Sequence, residues 1–207
     1  ALMSFLIDGG RTILIAGTRS SGKTSFLSSS IVELMRSTRI ITVEDTLELP
    51  IKTYQELNYD IQSMKVQAVI TQGGGELTAS DGIRAALRMG DSALIVGEVR
   101  SKEATALYEA MRVGALANVV MGTIHGDSPY SIYDRVVNDL GVPKTSLKAT
   151  DIIVIANPIK STSGLEKKKR VLQISEVRKE WTDDPLIEHA FVDLMIYNPE
   201  TDELEAT

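Results

Sequence analysis

The chain has no cysteine and only two histidines, His125 and His189, among 207 residues. Disulfides, cysteine-held zinc and iron–sulfur clusters are thereby excluded, and so is a multi-histidine metal site. Aromatics are scarce at 5% and there is one tryptophan. No apolar run approaches the roughly 18 residues that a membrane-spanning helix needs. A long basic stripe is also missing, and the net charge is −6, so a broad phosphate-backbone interface is disfavoured and nucleic acid is not an expected partner. What remains is an ordinary globular composition, 43% hydrophobic and 24% charged. The opening Ala-Leu-Met-Ser-Phe-Leu is followed by no charged region with a long apolar core, so it does not read as a signal peptide. It reads as part of a longer or processed chain.

Short apolar runs alternate with amphipathic stretches. Residues 12–16, 39–43, 92–96, 118–121 and 151–155 read as strands buried on both faces, and 62–71 as an edge strand. Residues 25–36, 78–89, 102–113 and 128–140 read as helices, the last stopped by Gly141 and Pro143. This βαβα order predicts an α/β fold with a mostly parallel sheet and helices on both faces. After Pro158 the pattern turns to alternating, antiparallel-like strands over 170–181 and 188–197, with a turn at 198–202. The expected organisation is a core over residues 1–157 and a β-rich extension over 158–207 packed on it. The glycine-rich stretch 72–76 reads as the most flexible segment. The charge run Glu166-Lys167-Lys168-Lys169-Arg170 reads as a solvated hairpin tip, or as a contact for acidic lipid or a partner.

One motif carries chemistry. Gly17-Thr18-Arg19-Ser20-Ser21-Gly22-Lys23-Thr24 matches the phosphate-loop pattern in full, after a strand and at the start of a helix, with Ser25 next in line. Its glycines let the backbone wrap around phosphates, and the helix aims its positive end at the same anion. Lys23 can reach the β- and γ-phosphates, and Thr24 can ligate Mg²⁺. Hydrolysis also needs acids, expected at strand ends beside the loop. Glu44, Asp45 and Glu48 follow one strand and Glu98 follows another. His125, at a third strand end, is placed to sense a γ-phosphate. Arg84, Arg88, Arg100 and Arg112 are candidates to neutralise phosphate, in this subunit or a neighbour, or to form surface ion pairs.

In combination these segments resemble the motor ATPases of type II and type IV secretion, type IV pili and the archaellum. The phosphate loop comes first. An acid-rich box, Ile41-Thr42-Val43-Glu44-Asp45-Thr46-Leu47-Glu48-Leu49, follows. Leu94-Ile95-Val96-Gly97-Glu98-Val99-Arg100 stands as a variant Walker B, and Gly122-Thr123-Ile124-His125-Gly126-Asp127-Ser128 as a histidine box. The wording looks closest to the archaeal branch. The resemblance implies a RecA-like domain in a homo-hexameric ring with ATP as substrate and Mg²⁺ as cofactor. It implies a membrane platform partner and a location at the cytoplasmic face of the membrane. It assigns Lys23 and Thr24 to phosphate and metal, Glu44 to water activation, Glu98 to the metal, and His125 to the γ-phosphate. It sets Arg88 in the family's arginine stretch, although the proline usual there is missing from Leu87-Arg88-Met89-Gly90-Asp91-Ser92. Rival readings are a RecA-like nucleic-acid motor and a nucleotide-binding regulator that does not hydrolyse.

Overall fold

The computed structural model describes residues 1–67, 78–113, 119–160 and 167–207. The expected flexible stretch 72–76, much of the expected strand 62–71, Asn118 and Glu166 of the charge run lie outside them. Nine strands form one sheet: β1 (Thr12–Gly17), β2 (Ile40–Glu44), β3 (Ile61–Lys65), β4 (Ala93–Val99), β5 (Val120–His125), β6 (Ile152–Lys160), β7 (Lys167–Val177), β8 (Phe191–Asn198) and β9 (Glu203–Ala206). Their order is β3-β2-β4-β5-β1-β6-β7-β8-β9. The first six strands in that row are parallel, and β7, β8 and β9 continue the same sheet antiparallel. This is the α/β architecture expected from the sequence, extended by antiparallel strands.

Both faces of the parallel part inside the edge strand β3 are covered, which is why those strands are largely apolar. On one face lie α1 (Leu2–Asp8), α2 (Lys23–Ile31) and α3 (Ile51–Glu56), packed through Ile7, Leu27, Ile31 and Tyr54 onto Ile13, Ile15, Ile40 and Ile95. On the other lie α4 (Ala79–Ala86), α5 (Glu103–Val113) and α6 (Pro129–Asp134), packed through Ile83, Leu107 and Ile132 onto Leu14, Val43, Val96 and Ile155. Alternate residues of each strand therefore belong to opposite cores.

Two of the helices begin at side-chain caps. Thr78 accepts the Asp81 N–H at α4, and Ser128 closes a capping box with Ser131 at α6. Two helices stop sooner than their apolar spacing suggests. α2 ends at Ile31 rather than near Arg36, after a serine triplet in which the hydroxyls of Ser29 and Ser30 both bond back to the Phe26 carbonyl. Such back-bonding competes with the helix ladder. The expected helix 128–140 turns π-helical over Arg135–Asp139. The short α1 and α3 carry too few residues for a periodic signal. The basic residues Lys167, Lys168, Lys169 and Arg170 lie within β7, paired along β6, rather than at a tip.

Ile15 is fully buried at the centre of β1. Ile15→Ala should lower stability by about 2–5 kcal/mol, read as a reduced urea midpoint with an unchanged denaturant slope.

Candidate functional site

The phosphate loop leaves β1 at Gly17 and enters α2 at Lys23. Gly22 holds φ +99°, a left-handed conformation that lets the chain turn into the helix without a side-chain clash. The loop is tied to the next strand: the Thr18 N–H and hydroxyl both donate to Asn157 Oδ1 of β6, at 2.8 and 3.0 Å. Lys23 is buried, and its ammonium donates to the carbonyls of Gly17 and Thr18 at 3.1 and 3.0 Å. Burial lowers its pKa, against the opposing pull of Glu98 and Glu48.

Strand alternation brings the other groups to the same side. In β2, Ile40, Thr42 and Glu44 share a parity, and Ile40 packs under α2. In β5, Met121, Thr123 and His125 share a parity, and Met121 packs there as well. β4 reaches the same result by a different route. Its pairing with β5 slips between Val96 and Val99, and both valines pack in the opposite core. The intervening bulge therefore turns Gly97 and Glu98 together toward the loop. A Cβ on Gly97 would stand 2.9 Å from Glu44 Cγ, so glycine there makes room for the carboxylate.

The result is a cleft of about 360 Å³ lined by Arg19, Ser20, Lys23 and Thr24 from the loop, and by Glu44, Asp45, Glu48, Gly97, Glu98, Arg100, Thr123 and His125 from the strand ends. Glu98 is its hub. Its Oε1 lies 2.9 Å from His125 Nε2, and its Oε2 accepts from Arg100 Nε at 2.8 Å and from Arg100 Nη2. Arg100 Nη1 also reaches Asp45 at 2.9 Å, so one guanidinium joins two acidic strand ends. The Thr24 hydroxyl donates to Glu48 Oε2 at 2.8 Å. Glu44 is 2% exposed; its Oε1 accepts the Glu48 and Leu49 N–H groups at 3.0 and 3.1 Å, while its Oε2 is buried without a hydrogen-bond partner among the described residues. Burial raises the Glu44 pKa, and the two backbone hydrogen bonds offset part of that rise.

The cleft thus gathers Lys23, Thr24, Glu44, Glu98 and His125, all read from the sequence as one site. Of the four arginines only Arg100 lines it. Arg84 pairs with Glu109 at 3.4 Å on the far helices, and Arg112 lies at the opposite end of the strands beside Thr12 and Asp151. Arg88 is exposed beyond the end of α4 and does not reach this cleft. Asn157 was not singled out in the sequence; its one signal is a polar residue in an otherwise apolar strand end. No cluster of three or more His, Asp or Glu side chains able to hold a metal occurs among the described residues. The donors present, a loop hydroxyl and strand-end carboxylates, are oxygen ligands. They suit a hard cation held by one or two protein groups and shared with phosphate.

A family model described as type II/IV secretion system protein matches residues 2–185. The chain belongs to this family. It is 31% identical over 212 residues to an uncharacterized protein of Methanocaldococcus jannaschii, covering 99% of this chain and 72% of that one. It is 31% identical to the type IV pilus assembly ATPase TfpB of Acinetobacter baylyi, over 70% of this chain and 22% of that one. With the type II secretion system protein E of Pseudomonas aeruginosa it shares 30% identity, over 70% and 26%. The chain therefore spans only about a quarter of the pilus and secretion relatives. Among solved structures, the VirB11 ATPase of the Brucella suis type IV secretion system superposes with TM-score 0.60 at 20% identity, over 81% of this chain and 49% of that one. The pilus retraction motor PilT with bound ADP gives 0.56 at 20%, over 80% and 48%. These two share the fold.

Raising the Glu44 pKa means that ionising it costs the folded protein stability. Its contribution is fully present below the ordinary carboxylate value and is lost as pH rises through the raised value. Glu44→Gln should therefore melt about 2–4 °C above wild type at pH 8, with the gap closing toward pH 4. Nucleotide-free thermal unfolding across that range measures it.

Proposed function

We propose that this chain is the ATP-hydrolysing part of a motor that drives secretion or filament assembly. The supporting observation is the convergence of the phosphate loop, the acid-rich box, the bulged Glu98 strand and His125 on one cleft. Family membership narrows the reading to secretion and pilus machines.

In this reading the γ-phosphate enters between the loop and the strand ends. The Lys23 ammonium exchanges the Gly17 and Thr18 carbonyls for phosphate oxygens, a favourable trade because carbonyls are weak partners for a buried charge. Glu44 orients the attacking water and takes its proton; burial brings its basicity closer to what a base at neutral pH requires. His125 reports the terminal phosphate to Glu98, since the imidazole sits between Glu98 and the loop carbonyl of Gly17. Thr24 and Glu98 would hold Mg²⁺, which supplies charge neutralisation for the transferring phosphoryl group. The lining fits this: four carboxylates, Glu44, Asp45, Glu48 and Glu98, face three basic side chains, Arg19, Lys23 and Arg100, so a bare polyphosphate meets surplus negative charge.

Arg88 is exposed outside its own cleft, which favours action on a neighbouring subunit in a ring, here proposed to be a homo-hexamer. No helix among the described residues is long and apolar enough to cross a membrane. We place the motor at the cytoplasmic face of the membrane against a membrane platform protein.

ATPase assays of the full-length protein test the proposal. Lys23→Ala should abolish turnover. Glu44→Gln should lower kcat by about a hundredfold or more while ADP binding persists. Turnover unchanged in Lys23→Ala would overturn the mechanism.

A further inference from the structure

Strand alternation divides the basic run of β7 between two faces. Lys168 and Arg170 share one face and both meet Asp202, with Arg170 Nη2 at 2.7 Å and Lys168 Nζ at 3.4 Å. Lys167 and Lys169 take the other face. That face is the one α2 occupies, because Val171, two residues further on, packs into the core beneath α2. Across the ladder Lys160 stands directly opposite Lys167, and Pro158 opposite Lys169. Lys160, Lys167 and Lys169 therefore form a strip on the α2 side. None of the three makes an ion pair with another described residue. Directly opposed like charges weaken a strand pair, and this chain has acidic residues in surplus with which to neutralise them. Among the described residues it is the other face that is neutralised.

The strip begins at the phosphate loop. A Cβ on Gly22 would lie 3.5 Å from Lys169 Cδ and 3.9 Å from its Cβ, so the aliphatic stem runs along the loop at its entry into α2. Lys169 does not line the carboxylate cleft. The sheet order explains the separation: β5, β4 and β2 lie on one side of β1, and β6 and β7 on the other. Lys169 therefore meets the loop from the β6–β7 flank, on the side away from the carboxylates that face the terminal phosphate in the reading above.

We propose that Lys169, with Lys167 and Lys160 extending the field outward, binds the inner, non-transferred phosphates of the nucleotide, so that the antiparallel extension contributes directly to the nucleotide site. The inference rests on the nucleotide reading above and adds a binding residue to it. The inner phosphates are present in ATP and in ADP alike, so the contact raises affinity for both.

The test is calorimetric titration of the whole protein with Mg²⁺ and ADP, with inorganic pyrophosphate and adenosine as separate probes, alongside ATPase kinetics. Lys169→Ala should weaken ADP by about three- to fivefold, Lys169→Glu by about tenfold or more, and Lys169→Arg by no more than about twofold, as one solvated charge contact allows. Pyrophosphate should follow ADP, adenosine should not, and KM for ATP should rise. Lys168→Glu, on the face neutralised by Asp202, is the control for overall charge. Wild-type ADP affinity in both Lys169→Ala and Lys169→Glu would overturn the inference and leave the proposed function standing. An equal loss in Lys168→Glu would also overturn it. A wild-type protein that binds no ADP, with Lys23→Ala indistinguishable from it, would instead remove the nucleotide reading and the inference with it. Unfolding midpoints of the Lys169 variants close to wild type confirm that the strand remains folded.

Discussion

A parallel sheet buried on both faces leaves its strands few places for a charged group except at their ends, and period-two alternation decides which face each end presents. The site of this protein depends on that constraint. Glu44 and His125 come to the α2 side because the apolar residues four positions earlier, Ile40 and Met121, are already committed to the core beneath α2. Glu98 follows the same logic through its exception: an unbulged β4 would have sent the carboxylate to the opposite face, and one extra residue recovers it. The local chemistry of the cleft is thus set by packing some 10 Å or more away along each strand, at about 3.3 Å per residue.

Much of this was legible in the sequence. The phosphate loop, the strand-end acids and His125 could be read because each sits at the end of an apolar run, and a buried parallel strand carries little else. The order of segments was legible too, and with it the family. The bulge was not, since Gly97 inside the Leu94–Val99 run admits either a weak strand position or an irregularity. Nor could the division of arginines be read. Arg84, Arg88, Arg100 and Arg112 look alike in one dimension, and only the placement of α4 and α5 on the face away from α2 separates Arg100 from the rest.

The polar groups of the cleft largely satisfy one another. Arg100 spans Asp45 and Glu98, His125 occupies the other oxygen of Glu98, and Glu48 takes the Thr24 hydroxyl. Three of these groups, Thr24, Glu98 and His125, are ones the proposed function assigns to the nucleotide or its metal. The exception is Glu44, whose second oxygen is buried without a hydrogen-bond partner among the described residues. A buried polar atom left in that condition is costly, and here it belongs to the residue on which water activation is proposed to rest.

The junction of β1 with β6 has a mechanical consequence. Asn157 grips the loop at Thr18, and β6 runs on through antiparallel ladders to β7, β8 and β9 without leaving the sheet. A load applied to the outer strands would act on these ladders as shear, shared across many hydrogen bonds at once, and would arrive at Thr18 with little slack. The sheet is stiff in its own plane, so a small displacement of the loop would travel outward along the same line as a tug on a taut cord.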